Sequence, residues 1–179
     1  MNAVDSVTKF VLAHLFVEKR TIKKCIEFLS QIKTTCYNQI LAKYYVRKYS
    51  RGKKKKKLII FVCDKFANYK TAFSKLFYRV AELQFGVPIA CKKYNLEHNN
   101  NAVERYNGKT KDRIKNIRGG FGSFEFAKDF MNLRRVIHNF VNPHQELKGK
   151  TPAEMAEIFL PLGRNKLLNL IEYVARGYH

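Results

Sequence analysis

HNNNAVERYNGKTKDRIKNIR, residues 98–118, is the stretch that decides the fold, and its apolar residues have helical spacing. With Asn101 as the N-cap, Glu104 falls at the third helical position and completes a capping box. One face of the helix is apolar, and we expect it to be buried. The residues of that face are Val103, Tyr106, Ile114 and Ile117.

The opposite face of this helix is polar and carries one carboxylate at the head of a basic strip. Its residues are Glu104, Asn107, Lys111, Lys115 and Arg118. A lone carboxylate in such a place suits a metal ion, and a row of cations suits phosphates. A capping Glu on an ordinary charged helix explains the same pattern, so this stretch alone leaves both interpretations open.

The composition indicates a folded, strongly basic domain. The chain has 179 residues, 46% of them hydrophobic, and a formal net charge of +21. This excludes a disordered basic tail and makes nucleic acid the first expected partner, with an anionic membrane surface second. No stretch is long and apolar enough to span a bilayer, and residues 1–10 do not resemble a secretory signal. The four widely spaced cysteines (Cys25, Cys36, Cys63 and Cys91) favour free thiols in a reducing compartment.

The first third of the chain predicts a hairpin followed by helices. Residues 1–17 are rich in β-branched and aromatic side chains and predict a strand or hairpin, with Asp5 in or near its turn. Thr21 is a plausible N-cap for a helix whose apolar positions, expected to face the core, are Ile22, Cys25, Ile26, Leu29 and Ile32. A second helical stretch covers residues 37–49. Its side chains expected to pack inward are Ile40, Leu41, Tyr44 and Tyr45.

A lysine run and a buried strand come next. The five cations Lys53, Lys54, Lys55, Lys56 and Lys57 cannot pack together and predict a solvated loop. That loop would contact phosphates, act as a solubilising linker, or serve as a nuclear targeting signal in a eukaryote. Residues 58–63 (LIIFVC) are typical of a central parallel strand with both faces covered.

Asp64 follows that strand directly. The carboxyl end of a strand is where open α/β sheets place their ligands, so Asp64 is a candidate site residue. The alternative is a turn or capping residue, because a helix over residues 69–85 follows. Residues 87–94 then predict another short strand, with Pro88 at its start or on an edge.

The last third predicts three helices separated by turns. Glycines at 119, 120 and 122 end the Glu104 helix, and Ser123 caps the next one. Asn142-Pro143 ends that helix. Residues 151–154 (TPAE) are a capping box that opens a helix to about residue 159, and residues 165–176 predict a final amphipathic helix. The core stripe expected for the helix after Ser123 is Phe126, Phe130, Leu133, Ile137 and Phe140.

Asp64 and Glu104 together suggest metal chemistry on nucleic acid. A strand-end carboxylate and a carboxylate early in a later helix can meet in space. In so basic a protein, two converging carboxylates suggest a divalent metal, since alone they repel each other. A pair of Mg²⁺ ions held by carboxylates can align a phosphodiester for attack by water or a 3′-hydroxyl.

Four segments resemble the DDE transposases of bacterial and archaeal insertion sequences. They are DSVTKFVLAHL at 5–15, VCDKFANYKTAF at 62–73, NNNAVERYNGKTKDRIKNIRGG at 99–120 and HNFVNPHQELKGKTPAEMAEI at 138–158. The resemblance implies an α/β fold with a ribonuclease-H-like mixed sheet flanked by helices, plus extra C-terminal helices. Residues 1–160 would form the catalytic core and residues 161–179 a helical extension.

The resemblance also assigns roles. Asp64 corresponds to the second acidic residue of the triad and Glu104 to the third, and both would be catalytic and bind Mg²⁺ or Mn²⁺. Lys111 and Lys115 would contact the DNA backbone. The implied partners are DNA (transposon ends and target) and a second copy in a homodimer, with no membrane and no small-molecule substrate. The implied location is the prokaryotic cytoplasm, at the nucleoid.

One departure from the family limits the expected activity. Asp5 matches a later position of the family pattern and not the first catalytic Asp, so the first strand and its Asp are expected to be missing, as in a chain truncated at its N-terminus. Metal binding and catalysis should then be weak, because a bridging carboxylate is needed between two metals. A non-catalytic basic DNA- or RNA-binding protein, and a basic structural or ribosome-associated protein, are the alternatives.

Overall fold

The computed structural model describes residues 1–50, 58–64, 66–85, 100–117 and 120–177, and it is mixed α/β with small sheets. The chain divides into two compact units. The first comprises Met1–Ala3 and Leu15–Arg105, and the second comprises Val4–His14 and Tyr106–His179. The α/β class is thus confirmed, while the division at residue 160 stays a prediction.

The N-terminal hairpin is confirmed. Strands β1 (Asn2–Val4) and β2 (Val11–His14) form a two-stranded sheet. Asp5 organises the turn: its Oδ2 accepts hydrogen bonds from the Val7 amide at 3.2 Å and from the Thr8 amide and hydroxyl, both at 2.7 Å. Lys9 then takes a left-handed conformation (φ 61°) that returns the chain to β2. Asp5 is therefore a turn residue.

Helix α1 (Ile22–Tyr49) contains both predicted helical stretches. Thr21 caps it, accepting a hydrogen bond from the Lys24 amide at 3.3 Å. The backbone leaves helical geometry at Cys36 (φ −134°, ψ 19°), which is where the sequence separates the two stretches. The predicted burial is correct at four positions and wrong at Ile22 and Tyr45, which are exposed. The four buried positions are Cys25, Leu29, Ile32 and Ile40.

A βαβ unit follows. Strand β3 (Ile60–Cys63), helix α2 (Ala67–Phe77) and strand β4 (Glu82–Phe85) are consecutive, and β3 and β4 are parallel with Ile60 opposite Glu82. Aromatic packing joins the strand to the helix, since the Phe61 ring lies 5.2 Å from that of Phe73 and 5.0 Å from that of Phe77. Helix α2 in turn packs against α1.

Two predictions for this region need correction. The helix expected over 69–85 ends at Phe77, because Arg79 takes a left-handed conformation (φ 65°) and residues 82–85 pair with β3 instead. Strand β3 is half-buried and, within the described part of the chain, pairs only with β4, so it does not have the covered faces expected of a central strand. The strand predicted at 87–94 lies outside the described residues.

Helix α3 (Asn101–Lys115) is the helix predicted from the opening stretch. Tyr106 is buried as expected, and Thr110 is buried beside it, its hydroxyl donating to the Tyr106 carbonyl at 2.9 Å. The other three members of the predicted apolar face are only half-buried. The side-chain pattern thus predicted the helix and its exposed face better than the extent of burial.

Helix α4 (Phe124–Val136) begins as predicted, with the Ser123 hydroxyl accepting from the Phe126 amide at 3.1 Å. It continues into a π-helical turn (Ile137–Val141). The predicted core stripe is wrong at Phe126 and Leu133, which are exposed, and its other three members are half-buried. The face that is buried carries small, flexible and polar side chains, and of these Asn139 bonds to the backbone of Val11 in β2 while His138 contacts the Lys9 carbonyl oxygen. The residues of that face are Ala127, Met131, His138 and Asn139.

The C-terminal segment contains a short 3₁₀ turn (Gln145–Leu147), helix α5 (Pro152–Met155) and helix α6 (Lys166–Ala175). The capping box at Thr151 and Glu154 is confirmed, and so is the final helix with its Asn165 cap. Helix α5 ends well before residue 159, however, because Glu157 adopts a left-handed conformation (φ 58°). Among the described residues, no helix is both long enough and apolar enough to cross a membrane.

Candidate functional site

Asp64 lies exposed at the carboxyl end of β3 and forms an ion pair with Arg20. Arg20 Nη1 donates to Asp64 Oδ2 at 3.0 Å, and the Asp64 side chain remains 55% exposed. Arg20 precedes the Thr21 cap of α1, so the ion pair ties the start of α1 to the end of β3. The position of Asp64 agrees with the sequence-based expectation, but its guanidinium partner was not predicted.

Arg20 is held by more than this one carboxylate, through both its side chain and its backbone. Its Cζ lies 4.4 Å from the centroid of the Phe66 ring, a cation–π contact, and the Asn68 amide donates to the Arg20 carbonyl at 2.8 Å. The hydrogen bond to Asp64 raises the pKa of Arg20. Burial raises the pKa of the neighbouring Tyr69 to about 12, so its hydroxyl stays protonated at neutral pH. The guanidinium is thus a fixed positive charge beside Asp64.

Glu104 is exposed in the first turn of α3 and interacts with Asn100. The Asn100 side-chain amide donates to Glu104 Oε1 at 2.6 Å, and the Glu104 amide donates to the Asn100 carbonyl at 3.1 Å. The prediction that Asn101 is the N-cap needs correction, because Asn101 already belongs to the helix. The residue directly before the helix is Asn100. The positive end of the helix dipole also stabilises the negative charge of the Glu104 carboxylate.

The donor chemistry at Asp64 and Glu104 suits Mg²⁺ or Mn²⁺ only in part. Carboxylate oxygens are the correct ligand type, and both side chains are open to solvent. Each carboxylate, however, already accepts a hydrogen bond, from Arg20 or from Asn100. In the described ranges no three His, Cys, Asp or Glu residues come together to hold a metal. A metal at Asp64 would compete with the guanidinium, and convergence of the two carboxylates stays a prediction.

The basic strip of α3 faces solvent where it is described. Lys111 and Lys115 are exposed and Asn107 is half-buried. Lys115 Nζ lies 3.7 Å from Asp112 Oδ1 in an exposed pair that contributes little to stability and leaves the ammonium available to phosphate. The predicted contacts at Arg118 and at the five lysines 53–57 fall outside the described residues.

Histidine and cysteine side chains are common catalytic and metal-binding groups, but His138, Cys25 and Cys63 are buried or half-buried in the fold. His138 is buried against Tyr106, with ring centroids 4.9 Å apart, and its Nε2 lies 3.0 Å from the Lys9 carbonyl oxygen. Burial raises the pKa of Cys63 to about 11 and also raises that of Cys25, so neither thiol is an activated nucleophile. His98 and Cys91 lie outside the described residues.

Arg20 is the residue that sequence reasoning missed. The only local signal is a basic residue directly before a helix cap, which is common and unspecific. Its partner Asp64 is distant along the chain, so the pair becomes visible only when α1 and β3 are placed together.

No protein-family model, no curated protein and no solved structure matches this chain.

Proposed function

We propose that this protein is a DNA transposase- or integrase-like domain of the DDE type, with a ribonuclease-H-like core, whose chemistry is metal-dependent phosphodiester hydrolysis and strand transfer. One observation carries the proposal: Asp64 is exposed at the carboxyl end of parallel strand β3, within a βαβ unit. Ligands of open α/β sheets bind at such strand ends. The four sequence segments that resemble the family support the same proposal.

In this proposal the two carboxylates and the basic strip have separate roles. Asp64 and Glu104 would hold Mg²⁺ or Mn²⁺, which supplies a Lewis acid for the phosphodiester when bound. Lys111 and Lys115 would hold DNA phosphates along one face of α3, because they are exposed and about one helical turn apart. The partner is DNA, and the location is the cytoplasm of a prokaryote. Activity of this chain alone would be weak.

A second candidate is a basic nucleic-acid-binding protein without catalysis. The ion pair between Arg20 and Asp64 favours it, because a fixed guanidinium already neutralises the carboxylate that a metal ion would need. DNA binding is common to both candidates. Metal binding that depends on Asp64 or Glu104 belongs only to the first.

A salt titration tests the DNA-binding surface. Affinity for a labelled DNA duplex is measured by fluorescence anisotropy over a series of salt concentrations, for the parent and for Lys111→Gln/Lys115→Gln. We expect the slope of log affinity against log salt to fall by about two, because each phosphate contact contributes about one. The control Lys70→Gln/Lys128→Gln removes the same charge from α2 and α4 and should leave the slope nearer to that of the parent. Equal slopes for the two variants would exclude α3 as the DNA surface.

Manganese binding separates the two candidates. Electron paramagnetic resonance reports free Mn²⁺ in titrations of the parent, Asp64→Asn and Glu104→Gln. The transposase proposal expects weak binding to the parent that both substitutions reduce, with Asp5→Asn as a control because Asp5 is occupied in the hairpin turn. If both variants bind Mn²⁺ like the parent, the catalytic assignment fails and the non-catalytic candidate stands.

A further inference from the structure

The C-terminal half of α1 exposes two aromatic rings, and helical spacing predicts that one of them, Tyr45, is buried. Tyr45 is 47% exposed and Tyr49 is 69% exposed. The two residues are one helical turn apart, and their rings stack nearly parallel, with centroids 6.2 Å apart and an interplanar angle of 11°. Large exposed aromatic side chains at adjacent positions are a costly surface to leave in water, so a binding role is the natural explanation.

The charged residues that neighbour these rings along the chain are all positive. Lys48 is exposed, and its Nζ lies 5.4 Å from the centroid of the Tyr49 ring. The sequence contains no Asp or Glu between Glu27 and Asp64. The positive field is therefore not offset locally, and the partner that complements it is an anion with flat apolar groups.

We propose that this surface, formed by Tyr45, Lys48 and Tyr49 and called here the tyrosine face, binds a single-stranded polynucleotide. Proteins that bind single strands combine aromatic side chains, on which bases stack, with cations that follow the phosphates. Bases in a duplex are already stacked on one another, so they have no free faces on which the tyrosine rings can stack. Single-stranded DNA and single-stranded RNA share the required chemistry.

The tyrosine face is distinct from the basic strip of α3 in composition and in expected partner. The strip presents Lys111 and Lys115, and the one tyrosine of α3, Tyr106, is buried. The strip can neutralise phosphates of a duplex but has no exposed ring on which to stack a base. The inference therefore goes beyond the proposed function and does not depend on Asp64, on Glu104 or on a metal.

Removal of the two rings tests the proposal. Anisotropy titrations use labelled oligothymidylate, oligouridylate and a mixed-sequence duplex, with the parent chain and Tyr45→Ala/Tyr49→Ala. We expect affinity for the single strands to fall about fivefold or more, the loss typical of one stacked base, while duplex affinity changes little. The stronger of the two single-strand arms identifies DNA or RNA as the preferred source. Unchanged single-strand affinity, or an equal loss on the duplex, would overturn the proposal.

Tyr78 provides a matched control. It is 66% exposed, and the Arg79 guanidinium lies 4.9 Å from its ring centroid, so it is also an exposed tyrosine beside a cation but lies outside the tyrosine face. Tyr78→Ala should leave single-strand affinity unchanged, and an equal loss there would refute a specific site. Tyr45→Phe/Tyr49→Phe keeps the rings and should retain the parent affinity. Circular dichroism of each variant confirms that α1 remains folded.

Lys48 has a separate signature. Lys48→Gln should lower the salt dependence of single-strand binding by up to about one in the log–log slope. The tyrosine substitutions should lower affinity at every salt concentration without changing that slope. A tyrosine variant with a reduced slope would show that the rings act only by positioning Lys48, and the stacking role would be lost.

Discussion

Asn139 substitutes for a neighbouring strand at one residue of β2. Its side-chain Oδ1 accepts from the Val11 amide at 2.9 Å, and its Nδ2 donates to the Val11 carbonyl at 3.1 Å. Both partners are buried, so neither backbone group of Val11 has water to bond with. An amide is the side chain that supplies one donor and one acceptor at this spacing. This explains why an asparagine occupies a buried position in the π-helical turn that follows α4.

Replacement of Asn139 by Leu should destabilise the protein by about 2–4 kcal/mol, because it leaves two buried backbone groups unsatisfied. Urea unfolding followed by circular dichroism measures the change. Asn116→Leu, at an exposed position after α3, is the control and should shift stability by less than about 0.5 kcal/mol. Similar losses for the two variants would show that the Val11 contacts contribute nothing specific.

His14 makes stability depend on pH in the mildly acidic range. Burial lowers its pKa from 6.5 to about 4, and burial also lowers the pKa of His138. The unfolded chain therefore binds more protons than the folded one between pH 6.5 and about 4, and the free energy of unfolding falls as the pH drops through that window.

The melting temperature should therefore decrease between pH 6.5 and about 5, above the range where ordinary carboxylates titrate. His14→Gln should flatten this decrease, because Gln does not titrate. Differential scanning fluorimetry in constant-ionic-strength buffers gives the comparison. A parent curve that is level across this window would contradict the assignment of His14 as a buried neutral imidazole.

If Asp64 binds a metal ion as proposed, Arg20 should limit how available its carboxylate is to that cation. Arg20→Gln removes the fixed positive charge 3.0 Å from the carboxylate, so Mn²⁺ affinity at Asp64 should increase severalfold. Arg176→Gln is the control, because Arg176 also pairs with a carboxylate, Glu172, but lies directly after α6, away from Asp64 along the chain. A decrease in Mn²⁺ affinity for Arg20→Gln would mean that the guanidinium orients Asp64 for the metal and does not compete with it.

At the scale of elements, caps and turns account for most of the boundaries. The Thr151 hydroxyl accepts from the Glu154 amide at 3.2 Å, and Glu154 Oε2 accepts from the Thr151 amide at 2.8 Å. Lys166 Nζ also donates to Glu154 Oε1 at 2.6 Å, which links the short helix α5 to the start of α6. Together these bonds lower the pKa of Glu154, with the Lys166 bond the largest cause. The TPAE segment thus begins helix α5 and connects it to helix α6.

Helix α3 contains a glycine that its geometry does not require. A Cβ placed on Gly108 would meet no atom within 4 Å, and the residue lies in the helix interior. Gly108→Ala should stabilise the protein by about 0.5–1 kcal/mol, because alanine loses less backbone entropy in a helix. Chemical denaturation measures the gain.

Gly149 is the matched contrast to Gly108. It is also surrounded by open space, but its φ of +81° is a conformation that L-residues rarely adopt. Gly149→Ala should therefore destabilise by about 1 kcal/mol or more. If both alanine variants move stability in the same direction, backbone conformation is not the deciding factor at these sites.

At the scale of the whole molecule, excess positive charge is the dominant property. A formal net charge of +21 over 179 residues means that the folded state repels itself. The described ion pairs are mostly exposed and therefore offset little of this repulsion. Counterions or a polyanion should relieve it.

The melting temperature should accordingly rise with added sodium chloride at pH 7, because screening of the repulsion between cations outweighs screening of a few surface pairs. Scans at low and moderate salt measure the effect. Addition of a DNA duplex at low salt should also raise the melting temperature, by binding the folded state. A melting temperature that falls with salt would show that attractive pairs control stability.

Local sequence signals predicted the element boundaries whose causes lie within a few residues. The hairpin turn at Asp5 and the caps at Thr21, Ser123 and Thr151 depend on hydrogen bonds over two or three positions. The exposed position of Asp64 after a strand also followed from pattern alone. The prediction failed where a contact with a distant segment decides the structure. Residues 82–85 were predicted to be helical but form a strand that pairs with β3.

By itself, the sequence determined the α/β class, the basic surface and the capped helix beginnings, because composition, hydrophobic period and local hydrogen bonds act over short stretches of chain. Only the tertiary structure decided that Arg20 pairs with Asp64, that Asn139 bonds to Val11, and that Tyr45 faces solvent. The first two join residues 44 and 128 positions apart. The free energy of such contacts depends on which surfaces the folded chain brings together, and no local pattern carries that information.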